Sequence, residues 1–138
     1  EDVYSPVDAA DRQSARPDLA ALLYPVISMQ TDITHPGSRA ALIGADAGPS
    51  LVDRYSVDRR ITDDTPPMFL VAAGDDDIVP VENSILAYRA MLAKRRSASM
   101  HLFETGGHGF GPNLPAASPA SRWPDLLLAF ATAHRLLG

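Results

Sequence analysis

The stretch MFLVAAGDDDIVP, residues 68–80, decides the predicted fold. An apolar run, 68–73, follows two prolines and ends at a glycine and three aspartates. A short apolar run bounded by such residues is typical of a buried strand. The sequence therefore predicts a strand with acidic side chains directly after its carboxyl end.

Further strands are predicted on both sides of this stretch. The almost continuously apolar run 19–24 predicts a strand that is buried on both faces, and residues 99–104 predict another strand. Between them, a helix is predicted over 80–96 because apolar side chains recur there at helical spacing. The predicted buried stripe of this helix is Val81, Ile85, Tyr88 and Leu92.

The remaining segments complete an alternation of strands and helices. Short helices are predicted at 38–43 and 49–55, and 111–119 is predicted to be a proline-rich loop. A last helix is predicted to begin at Pro124, with a buried side formed by Leu127, Phe130 and Leu137. This order predicts an α/β fold with parallel strands, and functional groups outside their C-terminal ends.

Length and charge exclude several classes of function. The 138 residues, nearly half of them apolar, are sufficient for one core and one domain. The net charge is −5, and the one compact cationic cluster, 94–96, falls at a predicted helix end, so no nucleic acid partner is expected. No apolar run approaches the roughly 18 residues needed to cross a bilayer, so no membrane association is expected.

Asp76 and His108 are the candidate catalytic residues. Each follows a predicted strand, and His108 lies in the glycine-rich segment GGHGFG, residues 106–111. An imidazole with a pKa near ~6.5 can act as a general base at neutral pH, and an aspartate can hold its ring and tautomer. The sequence therefore predicts an acid and a base that meet at one edge of the sheet.

Both of these segments have alternative interpretations. Asp75 is the alternative acid, and Asp77 is assigned to turn or capping work. The loop 106–111 could be a plain glycine-rich loop or a phosphate cradle, but a cradle should lead directly into a helix, whereas 112–119 intervenes. A calcium loop counted from Asp75 fails, because it lacks the required glycine and glutamate.

A nucleophile is missing from the pattern. The chain contains no Gly-x-Ser-x-Gly and no cysteine. Four serines considered for the role lack the flanking small residues of a nucleophile elbow: Ser5, Ser28, Ser38 and Ser84. The other histidines, His35, His101 and His134, lack the spacing of a metal site, and Trp123 is interpreted as an anchor for a helix start.

Two segments carry a family resemblance. DDDIVPVENS, residues 75–84, and GGHGFG resemble the C-terminal half of the α/β-hydrolase superfamily, most closely its acetyl-xylan-esterase-like, xylanase-associated branch. LYPVISM, residues 23–29, and HPGSR, residues 35–39, extend the resemblance from about residue 8 to the C-terminus.

The resemblance implies a fold and roles for particular residues. All 138 residues would be the C-terminal part of one α/β-hydrolase domain, with about three parallel strands and flanking helices. Asp76 would be the triad acid and His108 the base, while the nucleophile elbow and the oxyanion hole would lie upstream. The resemblance also suggests that His35 could edge a substrate pocket.

The implied function is that of a serine-type carboxylic-ester hydrolase acting on a small-molecule ester, without a cofactor or metal. This chain alone would be inactive and would bind the missing N-terminal half, or form a homo-oligomer through the open edge of the strand at 19–24. Two alternatives remain open from the sequence: a prolyl-oligopeptidase-like peptidase fragment, and a non-catalytic hydrolase-like binding or assembly module.

Overall fold

The computed structural model describes residues 5–136, which form a three-stranded parallel sheet with flanking helices. The strands are β1 (Ala20–Leu23), β2 (Met68–Ala73) and β3 (Ala98–Phe103), and β2 lies in the centre. In the register, Met68 is paired with Ala20 on one side and with Ala98 on the other. The predicted fold class and the three predicted strands are confirmed, with shifts of one residue at some ends.

In the described residues, four α-helices and two short 3₁₀ helices connect and cover the strands. The α-helices are α1 (Pro36–Ile43), α2 (Pro49–Tyr55), α3 (Glu82–Ala93) and α4 (Trp123–Ala133), and the 3₁₀ helices are Val57–Arg59 and Pro119–Arg122. The predicted helix at 49–55 is confirmed, while α3 is shorter than predicted at both ends. It ends early because Arg95 adopts a left-handed φ of 52° and the N–H of Arg96 returns to the carbonyl of Met91, a helix-terminating arrangement.

The core is organised around the central strand. All residues of β2 are buried, and one face of it packs with residues from the 26–65 connection and α3. The buried members of this cluster are Ile27, Ile61, Met68, Leu70, Ala87 and Met91. None of the helices in the described range 5–136 is long and apolar enough to span a membrane.

Strand β1 is not buried on both faces, so that prediction was wrong. Ala21 is exposed, and the other residues of β1 are half-buried. Within residues 5–136 β1 pairs with β2 alone, which leaves its second edge open. An apolar strand is buried only when other elements cover it. In the described residues, no strand pairs with the second edge of β1.

The predicted buried stripe of α3 was wrong in part. Val81, Ile85 and Tyr88 are half-buried, and Tyr88 packs against the core cluster. Leu92 is 53% exposed, whereas Asn83, Ser84, Ala87 and Met91 form the buried side. These side chains are mostly small, which lets α3 pack closely against β2 and β3. In α4, Leu127 and Phe130 are half-buried, and the predicted Leu137 lies outside the described residues.

Asn83 is a buried polar residue that fastens α3 to the segment after β1. Its Oδ1 accepts hydrogen bonds from the N–H groups of Ile27 and Ser28, at 2.9 and 3.0 Å. Its Nδ2 donates to the carbonyls of Ile33 and Pro80, at 2.8 and 3.0 Å. Both hydrogens and the oxygen of the amide are therefore used, which stabilises the connection after β1 on one side and Pro80, just before α3, on the other.

Replacement of Asn83 by Ala is expected to lower the free energy of unfolding by about 3–5 kcal/mol, because it leaves several buried backbone groups without partners. Urea denaturation followed by circular dichroism measures the change. Arg89→Ala, on the exposed side of the same helix, is the matched control and should stay within about 0.5 kcal/mol of the unmodified chain. A loss for Asn83→Ala no larger than the control's would show that these hydrogen bonds contribute no net stability.

Candidate active site

The carboxyl ends of the three strands meet at one edge of the sheet. The aspartate turn, 74–80, follows β2, the glycine-rich loop, 106–111, follows β3, and Tyr24 follows β1. Because parallel strands point the same way, segments that follow them lie side by side. The candidate active site is built from these three segments.

Asp76 and His108 are in direct contact. Oδ2 of Asp76 lies 2.8 Å from Nδ1 of His108. The Asp76 side chain is 1% exposed and the His108 side chain 32%, so the carboxylate is covered while the imidazole is partly open to solvent. The structure therefore places a buried acid behind an accessible base.

Asp76 also caps its own turn. Its Oδ1 accepts hydrogen bonds from the N–H groups of Ile78 and Val79, at 3.0 and 2.9 Å. The sequence assigned such capping to Asp77, and that assignment was wrong, because Asp77 is exposed and Asp76 performs both tasks. With one oxygen fixed by the backbone, the other is held in position for the histidine.

The surroundings of Asp76 favour its ionised form. Burial by itself would raise the pKa of this carboxyl, but the hydrogen bonds from the Val79 N–H, from His108 and from the Ile78 N–H together lower the pKa below its ordinary value. An ionised carboxylate only accepts hydrogen bonds, so Nδ1 of His108 carries the proton in this contact. The lone pair is then on Nε2, the nitrogen that can act as a base.

The glycine-rich loop uses its glycines in two ways. Gly107, Gly109 and Gly111 have left-handed φ values of 63°, 74° and 55°. Gly106 is instead required by close packing, since an added Cβ would lie 2.9 Å from Cδ1 of Phe110 and 3.2 Å from Cβ of Ala73. Backbone freedom is therefore used at three of these positions, and close packing within the chain at the fourth.

Tyr24 is a site residue that the sequence reasoning did not identify. Its ring lies edge-on to the imidazole of His108, with centroids 4.9 Å apart, and at 5.2 Å from the ring of Phe110. Its backbone has a φ of 41°, which is uncommon for a bulky residue, and its N–H donates to the carbonyl of Val71. The available signal was its place at the end of β1, at the same edge as Asp76 and His108.

Two further residues hold the loop that carries His108. Asp75, the alternative acid, directs Oδ1 to the N–H groups of Gly106 and Gly107. Trp123 donates from Nε1 to the carbonyl of Gly111 at 2.9 Å, so it joins the start of α4 to the end of this loop. The structure thus gives Asp75 and Asp76 different partners in the same segment.

In the described part of the chain, the other histidines contact serines rather than carboxylates. His35 is the N-cap of α1, where Nδ1 accepts from the N–H of Ser38 at 3.2 Å and lies 3.0 Å from its Oγ. His101 and His134 contact Ser99 and Ser97, at 2.9 and 3.1 Å. Burial lowers the pKa of His101, which favours its neutral form. No group of three potential metal-ligating side chains occurs in the described part of the chain.

The serines weighed as nucleophiles lie in other environments. Ser28 and Ser84 are buried in the core. Ser38 belongs to the cap of α1 with His35. These three placements are structural, Ser5 is exposed, and the Asp76–His108 pair remains the candidate catalytic group of the chain.

The chain is similar to known hydrolases. It is 36% identical over 100 residues to an acetylxylan esterase of Xylanibacter ruminicola, a match that covers 70% of this chain and 21% of the esterase. The crystal structure of an acetyl ester-xyloside bifunctional hydrolase from Caldicellulosiruptor lactoaceticus aligns with a TM-score of 0.90 and 34% identity, over 96% of this chain and 48% of that one. A carboxylesterase from Lactobacillus plantarum aligns with a TM-score of 0.74 and 25% identity, over 93% of this chain and 48% of that one.

The lengths of these relatives differ from that of the chain. The 138-residue chain spans about half the length of each of the two crystallised hydrolases and about a fifth of the length of the acetylxylan esterase. No family model matches the sequence.

Proposed function

The chain belongs to the α/β-hydrolase superfamily and is similar to its acetyl-xylan-esterase-like branch, and from this premise we propose that it supplies the acid and the base of a serine-type carboxylic-ester hydrolase. The contact of 2.8 Å between Asp76 and His108 is the observation that carries this proposal. The ionised, covered carboxylate and the partly open imidazole are arranged as an orienting acid and a general base.

The proposed reaction has two stages. As a serine oxygen attacks the ester carbonyl, Nε2 of His108 takes the hydroxyl proton, and the imidazolium then gives that proton to the departing alcohol. In the second stage, His108 takes a proton from water as the water oxygen attacks the acyl-enzyme, and the imidazolium then returns that proton to the serine oxygen as the ester bond breaks and the acid is released. Asp76 remains ionised throughout and stabilises the imidazolium.

The serine and the oxyanion-binding groups are proposed to lie outside these 138 residues. The absence of Gly-x-Ser-x-Gly from the sequence supports this, as does the length of the related crystal structures, of which the chain covers 48%. The remainder of the same domain, or a second copy of this chain, is proposed to pair with the open edge of β1. An apolar cavity of about 500 Å³ beside β1, lined in part by Leu22, Val26 and Ile61, supports a partner on that side.

The proposed substrates are small acyl esters of carbohydrates or similar alcohols. The support for this class comes from the names of the relatives, an acetylxylan esterase and an acetyl ester-xyloside hydrolase. The proposed roles of Asp76 and His108 concern proton transfer during acyl transfer. These roles are the same whichever alcohol the ester contains.

The 138-residue chain alone is expected to hydrolyse p-nitrophenyl acetate about 10⁶-fold more slowly than a protein that also contains the nucleophile, because loss of the triad serine costs on that order. Initial rates in a spectrophotometric assay measure this. The matched control is the same chain carrying His108→Ala, which should show the same residual rate.

Light scattering on the isolated chain provides the second readout, and we expect an associated species because of the open edge of β1. A monodisperse monomer would contradict the proposed partner. Hydrolysis by the isolated chain that disappears in His108→Ala would contradict an external nucleophile, since a serine within these residues would then be acting.

A further inference from the structure

We propose that Asp75 is a positioning residue, whose carboxylate fixes the backbone of the loop that presents His108. This inference rests on the proposed catalytic role of His108. Asp75 was the alternative triad acid. With this role, the aspartate turn holds the loop 106–111 through two side chains, Asp75 and Asp76.

One oxygen of Asp75 binds two successive backbone donors. Oδ1 accepts from the N–H of Gly106 at 2.8 Å and from the N–H of Gly107 at 2.7 Å. Gly107 has a φ of 63°, the left-handed conformation found in backbone concavities that hold anions. Both bonds are short. Hydrogen bonds from backbone N–H groups to a carboxylate belong to the stronger class of protein hydrogen bonds.

The loop needs such an attachment because of its composition. Four of the residues in 106–111 are glycines, which lose more conformational entropy on ordering than other residues. The far end of the loop is held by Trp123 through the carbonyl of Gly111. Asp75 holds the near end, directly before His108, so the ring is carried by a segment that is fixed on both sides.

Asp75 and Asp76 are adjacent in the turn after β2, and both bind the loop 106–111. Asp75 binds the backbone of the loop, and Asp76 binds the imidazole ring. Orientation of the ring by Asp76 requires the loop to stay within reach. Loss of Asp75 should therefore weaken the Asp76–His108 contact although Asp75 itself bonds only to backbone.

Nuclear magnetic resonance of the uniformly ¹⁵N-labelled chain tests this inference, because the ring nitrogens of the four histidines report the tautomer and the backbone amides report exchange. In the unmodified chain, His108 is expected to be the Nδ1–H tautomer. Asp75→Ala should produce a mixture of tautomers, and the amides of Gly106 and Gly107 should exchange with solvent about 10- to 100-fold faster. Asp75→Asn keeps an acceptor oxygen and should restore most of both properties.

Asp77→Ala, a change at the exposed neighbour, is the matched control and should leave both readouts unchanged. Slow exchange of the β2 amides verifies that each variant is folded. If Asp75→Ala leaves the tautomer of His108 and the exchange of the loop amides as they are in the unmodified chain, the inference is overturned. Equal effects of Asp75→Asn and Asp75→Ala would overturn the role of the acceptor oxygen.

These measurements are separate from the proposed hydrolytic function. If His108→Ala left ester hydrolysis intact in the nucleophile-containing protein, the proposed function would fail while the tautomer and exchange results stood. If both hold, Asp75→Ala in that protein should lower kcat about tenfold with little change in KM, because the base is misplaced while substrate contacts are retained.

Discussion

His108→Gln in a protein that contains both this chain and the nucleophile is expected to lower kcat for p-nitrophenyl acetate by about 10⁴- to 10⁶-fold. Glutamine cannot accept the serine proton, and it cannot return a proton to the leaving alcohol. Within residues 5–136, His108 is the one histidine in contact with a carboxylate, so its loss removes the proposed base. Steady-state kinetics at neutral pH measure the effect.

His134→Gln is the matched control for this experiment. His134 is half-buried, has its ring centroid 4.5 Å from that of Phe130 and contacts Ser97, away from the aspartate turn. This variant should keep kcat within about twofold of the unmodified protein, since nothing in the proposed chemistry uses it. Comparable activity of the His108 and His134 variants would contradict the assignment of His108 as the base.

The central part of the fold could be predicted from the sequence because burial there is complete. Strand β2 is covered on both faces and paired on both edges, so its apolar run has one structural interpretation. The close approach of the aspartate turn and the His108 loop follows from the same feature. Segments that follow neighbouring parallel strands lie at one edge, whatever their separation in sequence.

The face of α3 could be predicted only in part, because apolar periodicity does not measure packing. The large residues Ile85 and Leu92 suggested the buried side, yet close packing on the sheet selected Ser84 and Ala87. Asn83 is buried because four hydrogen bonds satisfy its amide, and no pattern of hydrophobic residues indicates such a network.

The division of work among the three aspartates also required coordinates. Asp75, Asp76 and Asp77 are chemically identical, and the turn decides that one points to the loop backbone, one to the imidazole and one to solvent. Tyr24 is a similar case. Its edge-on contact with His108 depends on a left-handed backbone at the end of β1, which tyrosine rarely adopts.

Asp76→Asn in the nucleophile-containing protein is expected to lower kcat by about 10⁴-fold. The structure gives the reason, because Oδ1 of Asp76 caps the turn through Ile78 and Val79 while Oδ2 faces His108. An asparagine that keeps the two backbone bonds directs its NH₂ group at Nδ1. The imidazole must then carry its proton on Nε2, where it can no longer accept the proton of the serine.

Asp77→Asn is the matched control, with the same chemical change at an exposed position, and should leave kcat within about twofold of the unmodified protein. The ¹⁵N spectrum of His108 should show the Nε2–H tautomer in Asp76→Asn and the Nδ1–H tautomer in the control. A 10⁴-fold loss of kcat without a change of tautomer would contradict this mechanism.

Stability measurements against pH give an independent test of the same contact. The folded-state pKa of Asp76 is depressed, so its ionised form contributes stability above the pKa of an unfolded aspartate, about 3.9, and this contribution is lost as the pH falls through the folded value. The free energy of unfolding of the unmodified chain should therefore exceed that of Asp76→Asn at neutral pH, and the difference should shrink on acidification. A difference that stays constant down to the lowest pH at which the chain remains folded would mean that the charge of Asp76 is not what the histidine and the turn amides stabilise.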